Sequence, residues 1–256
     1  MSLSSRWRRV RASFSLPNAV ITVAIIGIVI FAGVLAVKRQ YLTENTAIFL
    51  ACFVPAVILH EVSHGVVALW CGDDTAKRAG RLTLNPIRHI DPFGSIILPI
   101  VMTITAGFPF GYAKPVPVNL SRLRRPRDDA VLVGLAGPAT NLILAALSGV
   151  VLHFLSTGIE VIGGVAYSTH PLGVGDDFAI DFGVVNILLA VFNLIPIPPL
   201  DGSALLERML PAQVLPQYYR LRFAFMIVVL IVVLYARGPV GSILNHFEVW
   251  YLQIFA

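Results

Sequence analysis

The chain reads as an all-α, polytopic membrane protein, on three observations. Its 256 residues are 57% hydrophobic and only 13% charged, against about 25% charged in a soluble domain, and its mean hydropathy is +0.81. Apolar runs long enough to cross a bilayer, or nearly so, cover Ala19–Val37, Thr46–Cys71, Ala130–Leu155, Phe182–Ile197 and Phe223–Tyr235. The basic residues cluster in short loops beside these runs, where they set orientation. That placement argues against a nucleic-acid partner despite a net charge of +5. The expected architecture is about five to six spanning helices, a re-entrant hairpin and a small β element on the cytoplasmic side. All belong to one membrane-embedded domain, residues 1–256, with a core over about 46–202.

Each element follows from local chemistry. Arg6, Arg8, Arg9 and Arg11 precede Ala19–Val37, which is longer than a signal-peptide core and lacks a small-x-small cleavage site after it. An uncleaved first helix is expected. A further run, Pro92–Phe110, carries Pro92, Gly94, Pro99, Gly107 and Pro109, so a straight helix is disfavoured. Charge decides its path. If it enters and leaves on one side, 16 of the 19 basic residues face the cytoplasm; if it crosses, the split is 9 against 10. The positive-inside rule therefore favours a re-entrant hairpin. Ser156–Asp181 then lies outside, with Glu160, Asp176, Asp177 and Asp181 and no Lys or Arg. Arg78–Leu84 is weakly strand-like on the inner side. In about 240–255, Ile243, Leu244, Phe247, Trp250, Tyr251 and Ile254 recur at helical spacing, which fits an interfacial helix or one packed on the domain. Cys52 and Cys71 lie 19 residues apart on one expected helix, about 28 Å by helical rise, too far for a disulfide.

The chemistry sits in Thr46–Cys71. His60-Glu61-Val62-Ser63-His64 places three ionisable groups in a membrane-length run, where burial is costly and calls for a compensating partner. Positions i and i+4 share a helix face, so both imidazoles can reach one ion. Glu61, offset by about 100°, stands beside that ion. This is the H-E-x-x-H pattern of two zinc ligands and a general base. A catalytic zinc usually takes a third protein ligand and keeps a water. The expected topology brings Phe182–Ile197 inward and ends it in Asn193-Leu194-Ile195-Pro196-Ile197-Pro198-Pro199-Leu200-Asp201-Gly202, at the inner depth His64 also reaches. The three prolines break the helix and Gly202 permits a sharp turn, making Asp201 the best third ligand. His89, His153, His170 and His246 are read as surface or packing histidines.

With these elements in place the chain resembles the site-2 proteases, intramembrane zinc metalloproteases. The likeness rests on His60–His64 within a span, Lys114-Pro115-Val116-Pro117-Val118-Asn119, Gly137-Pro138-Ala139-Thr140-Asn141 opening another span, and Asn193–Gly202, in that order along the chain. It implies one zinc ion held by His60, His64 and Asp201, with Glu61 as catalytic base. It also implies that Asn141 and Asn193 lie near the site, with Asn193 binding substrate backbone; Asn141 can equally be a packing residue after the Gly-Pro step. Pro198 joins them as a substrate-binding candidate, since the Pro196–Leu200 segment lacks several N–H donors but exposes carbonyls to an unwound strand. The implied protein is a minimal bacterial-type member without PDZ or CBS domains. It is multi-pass in the cell membrane, its active site is toward the cytoplasmic leaflet, and its substrate is a transmembrane protein. The competing class is a membrane divalent-metal transporter, which also needs His and Asp at depth but has no use for Glu61 as a base.

Overall fold

The computed structural model describes residues 44–98, 113–155, 159–162, 165–168, 173–211, 213–235 and 237–255. The expected first helix, Ala19–Val37, and most of the Pro92–Phe110 run fall outside these residues. The described part is mostly helical. Helix α1 is Glu44–Trp70 and α2 Thr75–Arg78, followed by short irregular turns at Pro86–His89, Pro92–Ile97 and Leu120–Arg122. Helix α3 is Pro126–Leu155 and α4 Val174–Leu194. The small α5 (Ser203–Met209) precedes α6 (Leu215–Tyr235) and α7 (Arg237–Phe255). Among the described residues, Leu50–Trp70, Pro126–Phe154 and Val174–Leu194 are long and apolar enough to cross a membrane. The outer face of α3 carries exposed Ile143, Leu147 and Phe154, as a lipid-facing surface requires.

Two sequence expectations change. Arg78–Leu84 forms no strand: it is the end of α2 followed by a turn at Gly80, whose φ is +63°. Its backbone neighbour is reached by a side chain instead of a ladder, because Arg81 donates from Nη2 to the Lys114 carbonyl at 2.6 Å. The strands that do form, β1 (Ile159–Ile162) and β2 (Val165–Ser168), pair antiparallel within the expected outer loop, Ile159 opposite Ser168 and Ile162 opposite Val165.

Helix α1 ends where Gly72 takes φ +108°, a conformation side chains resist. The turn is closed by a bond from Asp73 N–H back to the Ala68 carbonyl at 2.9 Å. Helices α1 and α4 meet through Cys52, Ala56 and Val185, with Phe53 and Leu189 packed around them. A second cluster joins α3, α4 and α7 through Ala145, Leu152, Ile187 and Tyr251. Lipid is as apolar as the helices, so close packing at small residues drives this association. A Cβ at Gly183 would lie 2.1 Å from the Tyr251 ring, and one at Gly149 would lie 2.4 Å from Phe255. Both glycines are sockets for aromatic side chains of α7. Helix α7 is thereby tied into the core by Tyr251, which is fully buried, while Trp250 stays exposed.

Candidate active site

The site is assembled from α1, α3 and the turn after α4. His60 and His64, one helical turn apart on α1, have ring centroids 4.7 Å apart, edge to face. Helix α4 ends at Leu194, and Gly202 N–H then donates back to the Asn193 carbonyl at 2.6 Å. A Cβ on Gly202 would sit 2.3 Å from the Leu194 carbonyl oxygen, so only glycine allows the chain to fold back this tightly. The turn carries Asp201 to the imidazoles. Its Oδ2 lies 2.9 Å from His60 Nε2 and 3.3 Å from His64 Nε2.

Helix α3 makes room for this meeting with two glycines on one face. At Gly134 a Cβ would press on Ala204 (2.8 Å) and on the Asp201 carbonyl (3.0 Å). At Gly137 it would lie 2.5 Å from His64 Nε2 and 2.6 Å from His60 Nε2. The bare backbone of α3 therefore closes over the space between the ring nitrogens.

Each imidazole is oriented by its other nitrogen. His60 Nδ1 lies 2.5 Å from Asn141 Oδ1, and His64 Nδ1 lies 2.6 Å from the Val133 carbonyl. Both partners are acceptors, so both Nδ1 atoms carry the proton and both Nε2 lone pairs face Asp201. Although close to both rings, buried Asp201 Oδ2 has no hydrogen-bond partner of acceptable geometry. Three ligand atoms within 4.8 Å of one another, one of them orphaned, converge on a common point instead of satisfying each other. Two imidazoles and a carboxylate form the donor set that suits a zinc ion.

Glu61 sits beside this cluster, where its Oε2 accepts the Val116 N–H at 2.8 Å. That donor belongs to the extended segment Lys114–Asn119, which is held at both ends. Arg81 grips the Lys114 carbonyl, and fully buried Asp73 accepts the Asn119 N–H at 2.6 Å. The Val116 side chain packs at Gly65, where a Cβ would approach it to 2.9 Å. Pro115 and Pro117 remove the neighbouring N–H groups.

The remaining named residues fall as follows. Asn141 is fully buried and commits its amide to His60 and Asn186. Asn193 is half-buried and donates to the Leu189 carbonyl of its own helix at 2.9 Å. Pro198 is buried in the turn before Asp201. His89 donates from Nε2 to the Thr83 carbonyl at 2.8 Å, a structural contact. Sequence reasoning assigned no individual site role to Asn186, Arg81 or Asp73, nor to Gly137 and Val116, which lie in stretches singled out above. Asn186 did leave a signal, being an amide inside a membrane-length apolar run, the same cost that singles out His60 and His64.

Known proteins share this layout of sequence. Residues 175–235 match the family model "Peptidase family M50". YwhC of Bacillus subtilis, named as a zinc metalloprotease, is 45% identical over 154 residues, covering 60% of this chain and 64% of YwhC. Rip2 of Mycolicibacterium smegmatis, also named as a zinc metalloprotease, is 32% identical over 161 residues, covering 62% of this chain and 55% of Rip2. The chain thus spans less than two thirds of these relatives. A solved site-2 protease from Methanocaldococcus jannaschii aligns with 91% of this chain and 86% of its own, at 16% identity and a TM-score of 0.46. Residues 175–235 are thus similar to peptidase family M50, and about 60% of the chain is similar to proteins named as zinc metalloproteases.

Proposed function

We propose that this protein is an intramembrane zinc endopeptidase that cuts a transmembrane protein substrate within or near its membrane segment. The observation that carries the reading is the convergence of His60 Nε2, His64 Nε2 and the unpartnered Asp201 Oδ2. These three residues would hold one zinc ion. When bound, such an ion lowers the pKa of a water molecule and polarises the scissile carbonyl. Glu61 would serve as the general base, accepting a proton from the attacking water and returning it to the leaving amine. The Val116 N–H keeps the Glu61 carboxylate in one orientation while it does so. A helical substrate shields its peptide bonds and must first unwind. Asn193 and the Pro196–Leu200 turn are suited to receive the unwound strand, and Pro198 shapes that turn from within. The charge distribution favours a site toward the cytoplasmic leaflet, and the family resemblance implies a bacterial cell membrane. The relatives give the transporter reading no support.

The test is Glu61→Gln in full-length protein purified in detergent. Zinc content should stay at one equivalent, while cleavage of a model single-span substrate drops by at least about 10³-fold, the scale of losing a general base. Undiminished cleavage would remove Glu61 from the reaction.

A further inference from the structure

We propose that Asn186 is a positioning residue for the metal site, acting through Asn141 on His60. The proposal rests on the reading of His60, His64 and Asp201 as ligands of a divalent ion. Asn186 lies within α4, fully buried and away from the ligand cluster. A buried amide in a membrane-length helix is costly unless its polar atoms are used. Here they are used in series. Asn186 Nδ2 donates to the Phe182 carbonyl of its own helix at 2.8 Å. Its Oδ1 accepts from Asn141 Nδ2 at 2.7 Å. Asn141 Oδ1 then meets His60 Nδ1 at 2.5 Å.

The direction of this chain is set at its far end. A carbonyl oxygen only accepts, so Phe182 obliges Asn186 to turn its NH2 group inward along α4 and its oxygen toward α3. Asn141 must answer with its NH2 group, which leaves its oxygen for His60. His60 Nδ1 therefore carries the proton, and Nε2 presents a lone pair beside Asp201. Without Asn186 the Asn141 amide is free to rotate by half a turn. It would then offer NH2 to His60 Nδ1 and favour the tautomer protonated at Nε2, which cannot ligate. Replacing Asn186 in one helix thus spoils a ligand on another without touching it.

The experiment measures metal binding by the full chain in detergent micelles, using zinc competition with a chromophoric chelator and the visible absorption of bound Co²⁺. Asn186→Leu conserves volume and removes the acceptor. It should weaken zinc binding by about 10- to 100-fold, the usual effect of losing an outer-shell partner, and shift the Co²⁺ bands. Asn141→Leu should do the same. The double variant should match Asn141→Leu alone, because the effect of Asn186 passes through Asn141. Wild-type affinity and spectrum in Asn186→Leu would overturn the proposal, even with a lowered Tm, since a pure helix-packing role moves Tm only. An equal further loss in the Asn141→Leu background would also overturn it. If Asn186→Leu does not fold, Asn186→Ala is read by the same criteria. A wild-type protein that binds neither ion would instead sink the metalloprotease reading, and this proposal with it.

Discussion

Gly137→Ala provides a sharp test of the site geometry, because one methyl group is placed where the ligands meet. Its Cβ would lie 2.5 Å from His64 Nε2, 2.6 Å from His60 Nε2 and 2.5 Å from His60 Cε1. Ordinary non-bonded contact begins near 3.5 Å, so the overlap is about 1 Å against both rings at once. The rings cannot retreat freely, since Asn141 and the Val133 carbonyl hold their Nδ1 atoms at 2.5 and 2.6 Å. Metal–ligand distances tolerate only about ±0.2 Å, so a displacement near 1 Å removes both imidazoles as ligands. Zinc affinity should fall by at least about 100-fold, or roughly 2.7 kcal/mol. The fold should survive. Overpacking costs about 1–3 kcal/mol, and replacing a mid-helix glycine by alanine returns about 0.5–1 kcal/mol. The assay is zinc content and chelator competition on purified protein, with Tm measured alongside. Gly149→Ala is the matched control: its Cβ would lie 2.4 Å from the Phe255 ring, so it overpacks the core and should leave zinc binding unchanged. Full zinc affinity in Gly137→Ala would refute the placement of the two ring nitrogens.

Two further predictions concern the segment that faces Glu61. Val116→Pro removes the N–H donated to Glu61 and should lower kcat by about 10- to 100-fold, the scale of a misplaced catalytic group, with zinc content retained; an unchanged kcat would mean that the base needs no such hold. At the end of the segment, burial raises the Asp73 carboxyl, but bonds from the Thr75 hydroxyl and the Asn119 and Thr75 amides, with the charge of Arg122, bring it below its usual value. A lowered carboxyl stabilises the fold above its unfolded pKa of about 3.9 and loses that contribution as pH falls through the lower folded value. Wild type should therefore exceed Asp73→Asn in stability at pH 7, with the gap closing below about pH 4. A gap that persists unchanged to pH 3 in acid unfolding would contradict the role of the charge.

Much of this was readable in the chain, for reasons that differ by residue. His60, Glu61 and His64 are legible because helical spacing alone puts the two imidazoles on one face. Asp201 is legible because prolines break the helix before it and Gly202 permits the sharp turn that follows. The strand expected at Arg78–Leu84 misled because short polar–apolar alternation does not reveal that Arg81 will replace a ladder with side-chain bonds. The hairpin Ile159–Ser168 was hidden in a loop defined only by its lack of positive charge. Asn141 had two open readings, and contact with His60 and Asn186 places it beside the His60 ring.

The sequence by itself determined the membrane class, the helix that bears the motif and the residue types offered as ligands, because hydropathy and helical periodicity are local properties. Only the tertiary structure decided that Asp201 reaches both ring nitrogens, that Gly134 and Gly137 leave the space for that meeting, and that an amide on a separate helix reaches His60 through Asn141. Those depend on how four segments approach one another. Close approach is governed by which side chains are missing at the contact, and no pattern along a single helix records that.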